Sequence, residues 1–117
     1  MKSRSKSPKT VLLTGGTGFL GSRLADAFVR RNDLLVVLKR SSSNITRLKH
    51  LKDHLTFYDI DRIDLRDVFR NHRIDRIIHC ATNYGRDREL PSEIIEANLV
   101  LPLNLLQLAP EHDVREF

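Results

Sequence analysis

The sequence predicts an α/β fold, a doubly wound parallel sheet with its four strands in the order 3-2-1-4. Three observations carry that prediction. Short apolar runs alternate with helical patterns along the chain. Two of the runs are apolar on both faces, so helices must cover the sheet on both sides. Glycine is concentrated at one junction: four of the chain's five glycines fall in TGGTGFLG, residues 14–21, between the first run and the first helical pattern. Right-handed crossovers then restrict the topology to the doubly wound form.

The elements follow in order. KTVLLT (residues 9–14) reads as a buried strand. Residues 19–31 read as a helix, with Leu20, Leu24 and Phe28 at i, i+4 and i+8 and Ala25 and Val29 beside them. LLVVLKR (34–40) is a second strand with a basic end. SSSN (41–44) is a loop with capping chemistry, leading to a short helical segment at 45–51. LTFYDID (55–61) is a third, more polar strand. Residues 65–72 form a short helix with Leu65, Val68 and Phe69 on one side. IDRIIHCAT (74–82) is a fourth strand. After the polar loop TNYGRDREL, a longer helix runs from Pro91 or Ser92 to about Ala109, with a kink or break expected near Leu101 because Pro102 removes a hydrogen bond.

Composition bounds the function. With 117 residues, 40% hydrophobic and 30% charged, the chain suits one domain with a core, residues 9–117, after a basic tail at 1–8. No apolar run approaches the roughly 20 residues of a membrane helix, and MKSRSKSPK lacks the apolar centre of a secretion signal. Cys80 has no partner for an intramolecular disulfide. A cytoplasmic protein with no membrane partner is expected. The net charge of +5 comes mostly from Lys2, Arg4, Lys6 and Lys9; without them sixteen basic residues face fifteen acidic ones. Nucleic acid is therefore disfavoured as a partner. The tail reads as a solvated, disordered extension, with a nucleic-acid or phospho-regulated arm as the alternative. The five histidines and one cysteine show no metal-ligand spacing.

A strand, then TGGTGFLG, then a helix is a phosphate-binding context. Gly15 permits the tight turn off the strand. Gly18 lets a phosphate approach the backbone, and Gly21 lets helix and strand pack closely. The free amides and positive dipole of the helix start attract the anion. Thr17, Phe19 and Leu20, in the same loop and first turn, join the three glycines as cofactor-binding candidates. The spacing is G-x-x-G-x-x-G, where the general dinucleotide fingerprint is G-x-G-x-x-G. A glycine-rich turn with no ligand is the bland alternative.

TGGTGFLG resembles the cofactor loop of the extended short-chain dehydrogenase/reductases, the NAD(P)-dependent epimerase/dehydratase family of nucleotide-sugar enzymes with a Rossmann-type fold. DIDRIDLRDVF (59–69), DRIIHCAT (75–82), NLVLPLNLLQLA (98–109, with Asn98 and Asn104) and VREF (114–117) resemble later segments of that family, VREF as the start of a fifth strand. The resemblance covers residues 9–117. It implies a dinucleotide partner and, in the full-length protein, a nucleotide-sugar substrate. It also implies that Asp59 and Ile60 lie by the adenine, Asp59 accepting from its amino group, and that Ala81 and Thr82, ending the fourth strand, lie against the cofactor phosphates and ribose. A solvated strand-end acid is the other reading of Asp59. His79 and Cys80 read as core or strand-end residues. The wording ATNYGR (81–86) is similar to the reductase branch acting on nucleotide-linked 4-keto-6-deoxy sugars, including CDP-abequose synthase-like enzymes. Tyr84 and Arg86 could there touch a sugar or diphosphate; an ordinary exposed loop is the competing reading.

The end of the second strand distinguishes NAD from NADP: an acid there binds the ribose 2′-hydroxyl, a basic residue a 2′-phosphate. Arg40 stands 19 residues after Gly21, with Lys39 before it and Ser41 and Ser42 after it. Arginine grips phosphate bidentately and serine donates to the same oxygens. NADP is favoured over NAD, against the alternative that Lys39 and Arg40 only cap a strand end in water.

The resemblance implies chemistry by a Tyr-x-x-x-Lys motif after the fifth strand. Tyr58 is followed at i+4 by Arg62, and Tyr84 by Arg88. No catalytic residue is assigned. The expectation is the N-terminal, cofactor-binding part of a longer enzyme, truncated and inactive alone, or alternatively a non-catalytic dinucleotide-sensing module on the same fold. Apolar surface from Leu99, Leu103 and Leu106 would then be exposed, and a homo-oligomer is expected.

Overall fold

The structure is a computed structural model that describes residues 7–117. The tail expected at residues 1–8 therefore lies, for residues 1–6, outside the described residues. Strand β1 (Thr10–Thr14) leads through the glycine loop to helix α1 (Phe19–Arg30) and strand β2 (Leu34–Lys39). A 3-10 helix (Thr46–His54) precedes β3 (Leu55–Asp59), helix α2 (Leu65–Asn71) and β4 (Arg76–His79). The chain closes with α3 (Pro91–Ile95), a π-helical turn (Glu96–Val100) and α4 (Leu101–Glu111).

The sheet is parallel throughout, in the order β3-β2-β1-β4, as expected. The period-2 alternation of strand side chains divides the core in two. Val11, Leu13, Leu35 and Val37 face α1 and the 3-10 helix, packing with Ala25, Phe28, Leu48 and Leu51. Leu12, Val36, Leu38 and Ile77 face the other way, against Val68 and Phe69 of α2 and Leu101, Leu105 and Leu108 of α4. Each fully buried leucine contributes roughly 1.5–3 kcal/mol of transfer free energy.

Several boundaries differ from expectation, each for a pairing reason. β4 ends at His79, so Ala81 and Thr82 follow the strand and do not end it. Its neighbour β1 stops at Thr14, paired with His79, and turns into the glycine loop, leaving no ladder beyond. β2 ends at Lys39 and β3 at Asp59, the last pair in that ladder, so Arg40 and Asp61 leave the sheet. On α1 the buried residues are Gly21, Ser22, Ala25 and Phe28. Leu20, expected on the apolar face with Leu24 and Phe28, is instead 61% exposed.

The helical stretch after residue 90 does not break at Leu101 but runs on through the π-helical turn into α4. It widens: the Leu101 amide bonds the Glu96 carbonyl, five residues back. The wide turn comes just before Pro102, which has no amide to give. Residues 114–117 lie beside β4 in a parallel bridge, Arg76 opposite Glu116, with the Ile77 amide 2.9 Å from the Glu116 carbonyl. Among the described residues no helix is long and apolar enough to cross a membrane.

Candidate functional site

A cleft of about 1030 Å³ opens at the carboxyl ends of the strands, where the chain crosses from one side of the sheet to the other. Its near wall is the glycine loop and first turn of α1: Gly15, Thr17, Gly18, Phe19, Leu20 and Gly21 all line it.

The three glycines do different work. Gly15 has φ +69°, and a Cβ there would sit 2.5 Å from the Ala81 nitrogen, so both backbone and space require glycine. A Cβ on Gly21 would fall 2.0 Å from the Gly15 carbonyl oxygen, which is the close packing of helix against loop. Gly18 is different: a Cβ there would meet only the Gly15 oxygen, at an ordinary 3.4 Å. Among the described residues nothing fills that place. Gly18 is the N-cap residue of α1, and no side chain caps the helix or places an acid in its first turn. The amides of Phe19, Leu20 and Gly21 therefore have no partner within the helix, and the positive end of its dipole meets the cleft.

The floor is formed by the ends of β1 and β4. Thr14 Oγ1 accepts from the amides of Cys80 and Ala81, both at 3.1 Å, and lies 2.7 Å from His79 Nδ1. Burial pushes the His79 imidazole below its usual pKa and the Cys80 thiol above its own. Both residues are strand-end residues, as expected, and both also line the cleft, with Ala81 and Thr82 beyond them. Thr14, which has no special place in a sequence reading, is the knot that joins the two strand ends.

The far end is charged. Lys39, Arg40, Ile60 and Asp61 line it. Arg40 Nη2 lies 3.2 Å from Asp61 Oδ1, and Asp61 Oδ2 accepts the Ser41 amide at 2.8 Å. Ser41 and Asp59 are not brought to the cleft surface; they face each other. Ser41 Oγ donates to Asp59 Oδ2 at 2.5 Å, and Asp59 Oδ1 accepts the Asp61 amide. That serine bond above all, with the Asp61 amide and the charges of Lys39 and Arg62, holds the Asp59 carboxyl below the usual carboxylate range. Two short polar residues on adjacent strand ends satisfy each other, which composition alone does not reveal.

The loop after β4 forms the remaining wall. Asn98, in the π-helical turn, brackets the Asn83 backbone: its Oδ1 accepts the Asn83 amide and its Nδ2 donates to the Asn83 carbonyl, both at 2.8 Å. Tyr84 and Arg86 line the cleft, with the guanidinium 4.7 Å from the ring centroid.

A family model for the NAD dependent epimerase/dehydratase family matches residues 11–117. The chain is 34% identical over 102 residues to the CDP-abequose synthase of Salmonella muenchen, covering 87% of this chain and 33% of that protein. It is 32% identical over 118 residues to a UDP-glucose 4-epimerase of Erwinia amylovora, covering 92% and 35%. It thus spans about a third of the length of these relatives. Among solved structures it is similar to the Bordetella bronchiseptica enzyme WbmH in complex with NAD+, with a TM-score of 0.78 at 26% identity, covering 92% of this chain and 37% of that one. It is also similar to the Helicobacter pylori ADP-L-glycero-D-manno-heptose-6-epimerase, with a TM-score of 0.76 at 27% identity, covering 97% and 40%.

Proposed function

The chain belongs to the NAD-dependent epimerase/dehydratase family, and from that premise we propose that it is the dinucleotide-binding part of an enzyme acting on a nucleotide-linked sugar, with NADP favoured over NAD. The observation that carries this reading is the start of α1. Its amides are uncapped, they open on the cleft, and the space beside Gly18 is one that any side chain would occupy. A pyrophosphate suits that cradle in charge and in shape.

The residues then take these roles. The loop from Gly15 to Gly21 holds the pyrophosphate on backbone amides, with Thr17, Phe19 and Leu20 around it. Ile60 covers the adenine and Asp59 accepts from its amino group once Ser41 turns away. Arg40 and Lys39 meet the 2′-phosphate, and Ser41 donates to it. Ala81 and Thr82 flank the ribose and phosphates. The bound nicotinamide would supply hydride transfer to or from a sugar carbon. Tyr84 and Arg86 face the substrate side. The ATNYGR stretch, together with the likeness to a CDP-abequose synthase, favours the reductase branch. Proton transfer is assigned to no residue of this chain, so binding without turnover is expected of these 117 residues.

We also propose self-association through the exposed apolar stripe that runs from α3 through the π-helical turn into α4: Ile95, Leu99, Leu103 and Leu106 are each 49–54% exposed.

Calorimetric titration with NADPH and NADH, on wild type and Arg40→Ala, tests the cofactor reading. NADPH should bind more tightly than NADH, and Arg40→Ala should remove about tenfold of NADPH affinity, the effect of one charge-assisted phosphate contact. Equal wild-type affinities would sink the phosphate role of Arg40. The absence of any binding would sink the dinucleotide site.

A further inference from the structure

We propose that Asp61 is a specificity-determining residue, which restrains the preference for NADP(H) by competing with a 2′-phosphate for Arg40 and the Ser41 amide. The inference rests on the dinucleotide site described above.

One carboxylate holds both groups. Asp61 Oδ1 takes the Arg40 guanidinium at 3.2 Å, and Asp61 Oδ2 takes the Ser41 N–H at 2.8 Å. Both are donors just beyond the end of β2 that a 2′-phosphate would use, beside Lys39. The pair lines the cleft and stays partly solvated, with the side chains 43% and 35% exposed. A pair in that setting is weak, so a phosphate dianion can take Arg40 from it. The carboxylate does not then leave the neighbourhood. The Ile60 amide bonds the Lys39 carbonyl at 2.9 Å and the Asp61 amide bonds Asp59 Oδ1 at 2.9 Å, which pins the Asp61 backbone beside the end of β2. A displaced carboxylate within a few ångströms of a phosphate repels it.

A 2′-hydroxyl meets the opposite situation. It is neutral and donates to a carboxylate, and the Arg40–Asp61 pair can remain closed around it. Asp61 therefore favours the unphosphorylated ribose, while Lys39 and Arg40 favour the phosphorylated one. Asp59 cannot substitute for Asp61 here, because the Asp61 amide and Arg62 already hold its carboxylate and the adenine amino group takes the place that Ser41 Oγ leaves. The two opposing groups come from different strand ends, 21 positions apart in sequence, and only the parallel pairing of β2 with β3 sets them side by side.

The test is a titration of the chain and its Asp61→Asn and Asp61→Ala variants with NADPH, NADH, 2′,5′-ADP and 5′-ADP, with circular dichroism to confirm folding. Both variants should bind NADPH and 2′,5′-ADP about tenfold more tightly than wild type, the effect of removing one like charge. NADH and 5′-ADP should bind no better than before. If wild type binds dinucleotides but the variants change all four ligands equally, or none, the role of Asp61 is overturned and the cleft reading stands. If wild type binds none of the four, the cleft reading falls and takes this inference with it.

Discussion

Thr14 donates its hydroxyl hydrogen to His79 Nδ1, 2.7 Å away. The direction follows from the other bonds: the Thr14 oxygen already accepts two amides, those of Cys80 and Ala81, which fills both lone pairs. His79 Nδ1 must then be the acceptor, so the ring is neutral with its proton on Nε2. Burial of the ring favours the same state. A protonated ring would set donor against donor at the point that joins β1 to β4.

A pH dependence follows from this bond. The folded-state pKa of His79 is depressed below the unfolded value of about 6.5, so the unfolded chain binds the proton more readily. The contribution of His79 to stability is complete above about pH 6.5 and is lost as pH falls towards the folded value. Urea unfolding from pH 7.5 to 5.5 should show declining stability, and His79→Asn should flatten that slope. An unchanged slope in the variant would remove His79 as its cause.

The glycines should separate in mutation. Gly15→Ala and Gly21→Ala force backbone clashes at 2.5 and 2.0 Å, and each should lower stability by several kcal/mol, in the range of overpacking with local strain of about 1–3 kcal/mol or more. Gly18→Ala meets no such clash and should cost less than about 1 kcal/mol of folding, a modest capping effect. It should instead weaken dinucleotide binding. Thermal unfolding read beside calorimetry checks the contrast, and a Gly18→Ala variant that binds as wild type does would count against the phosphate cradle.

Removing the Asn98 amide should free the loop after β4. Asn98→Ala deletes two hydrogen bonds to Asn83, a loss of about 1–2 kcal/mol at usual values. Amide exchange at Asn83 should accelerate accordingly, with little change in the β1 and β2 amides. Asn98→Asp keeps the acceptor and loses the donor, so it should protect the Asn83 amide to an intermediate degree.

The apolar stripe gives the association prediction. Sedimentation equilibrium should show a mass that rises with concentration, and Leu103→Asp should weaken the association by about tenfold or more, as expected for a charge placed in an apolar contact. A wild-type chain that stays monomeric at all concentrations would dismiss the interface.

Much of this was legible in the chain because it depends on local pattern. Strand runs apolar on both faces require helices on both sides, and Gly15 can be read as a tight turn and Gly21 as close packing of helix on strand. The strand order and the carboxyl-end cleft follow from the handedness of the crossovers. The same reasoning placed Arg40 at the end of β2. It could not see that Asp61 would stand against it, or that Ser41 would turn to Asp59.

Sequence by itself determined the layers, the order of the strands and the bare helix start, since each follows from residue type, spacing and chirality. Tertiary structure alone decided which polar groups meet: Thr14 with His79, Arg40 with Asp61, Asn98 with Asn83. Those partners lie 15 to 65 positions apart. A hydrogen bond forms only within about 3 Å, and over such separations that proximity is set by strand register and by where each strand ends, not by any periodicity along the chain.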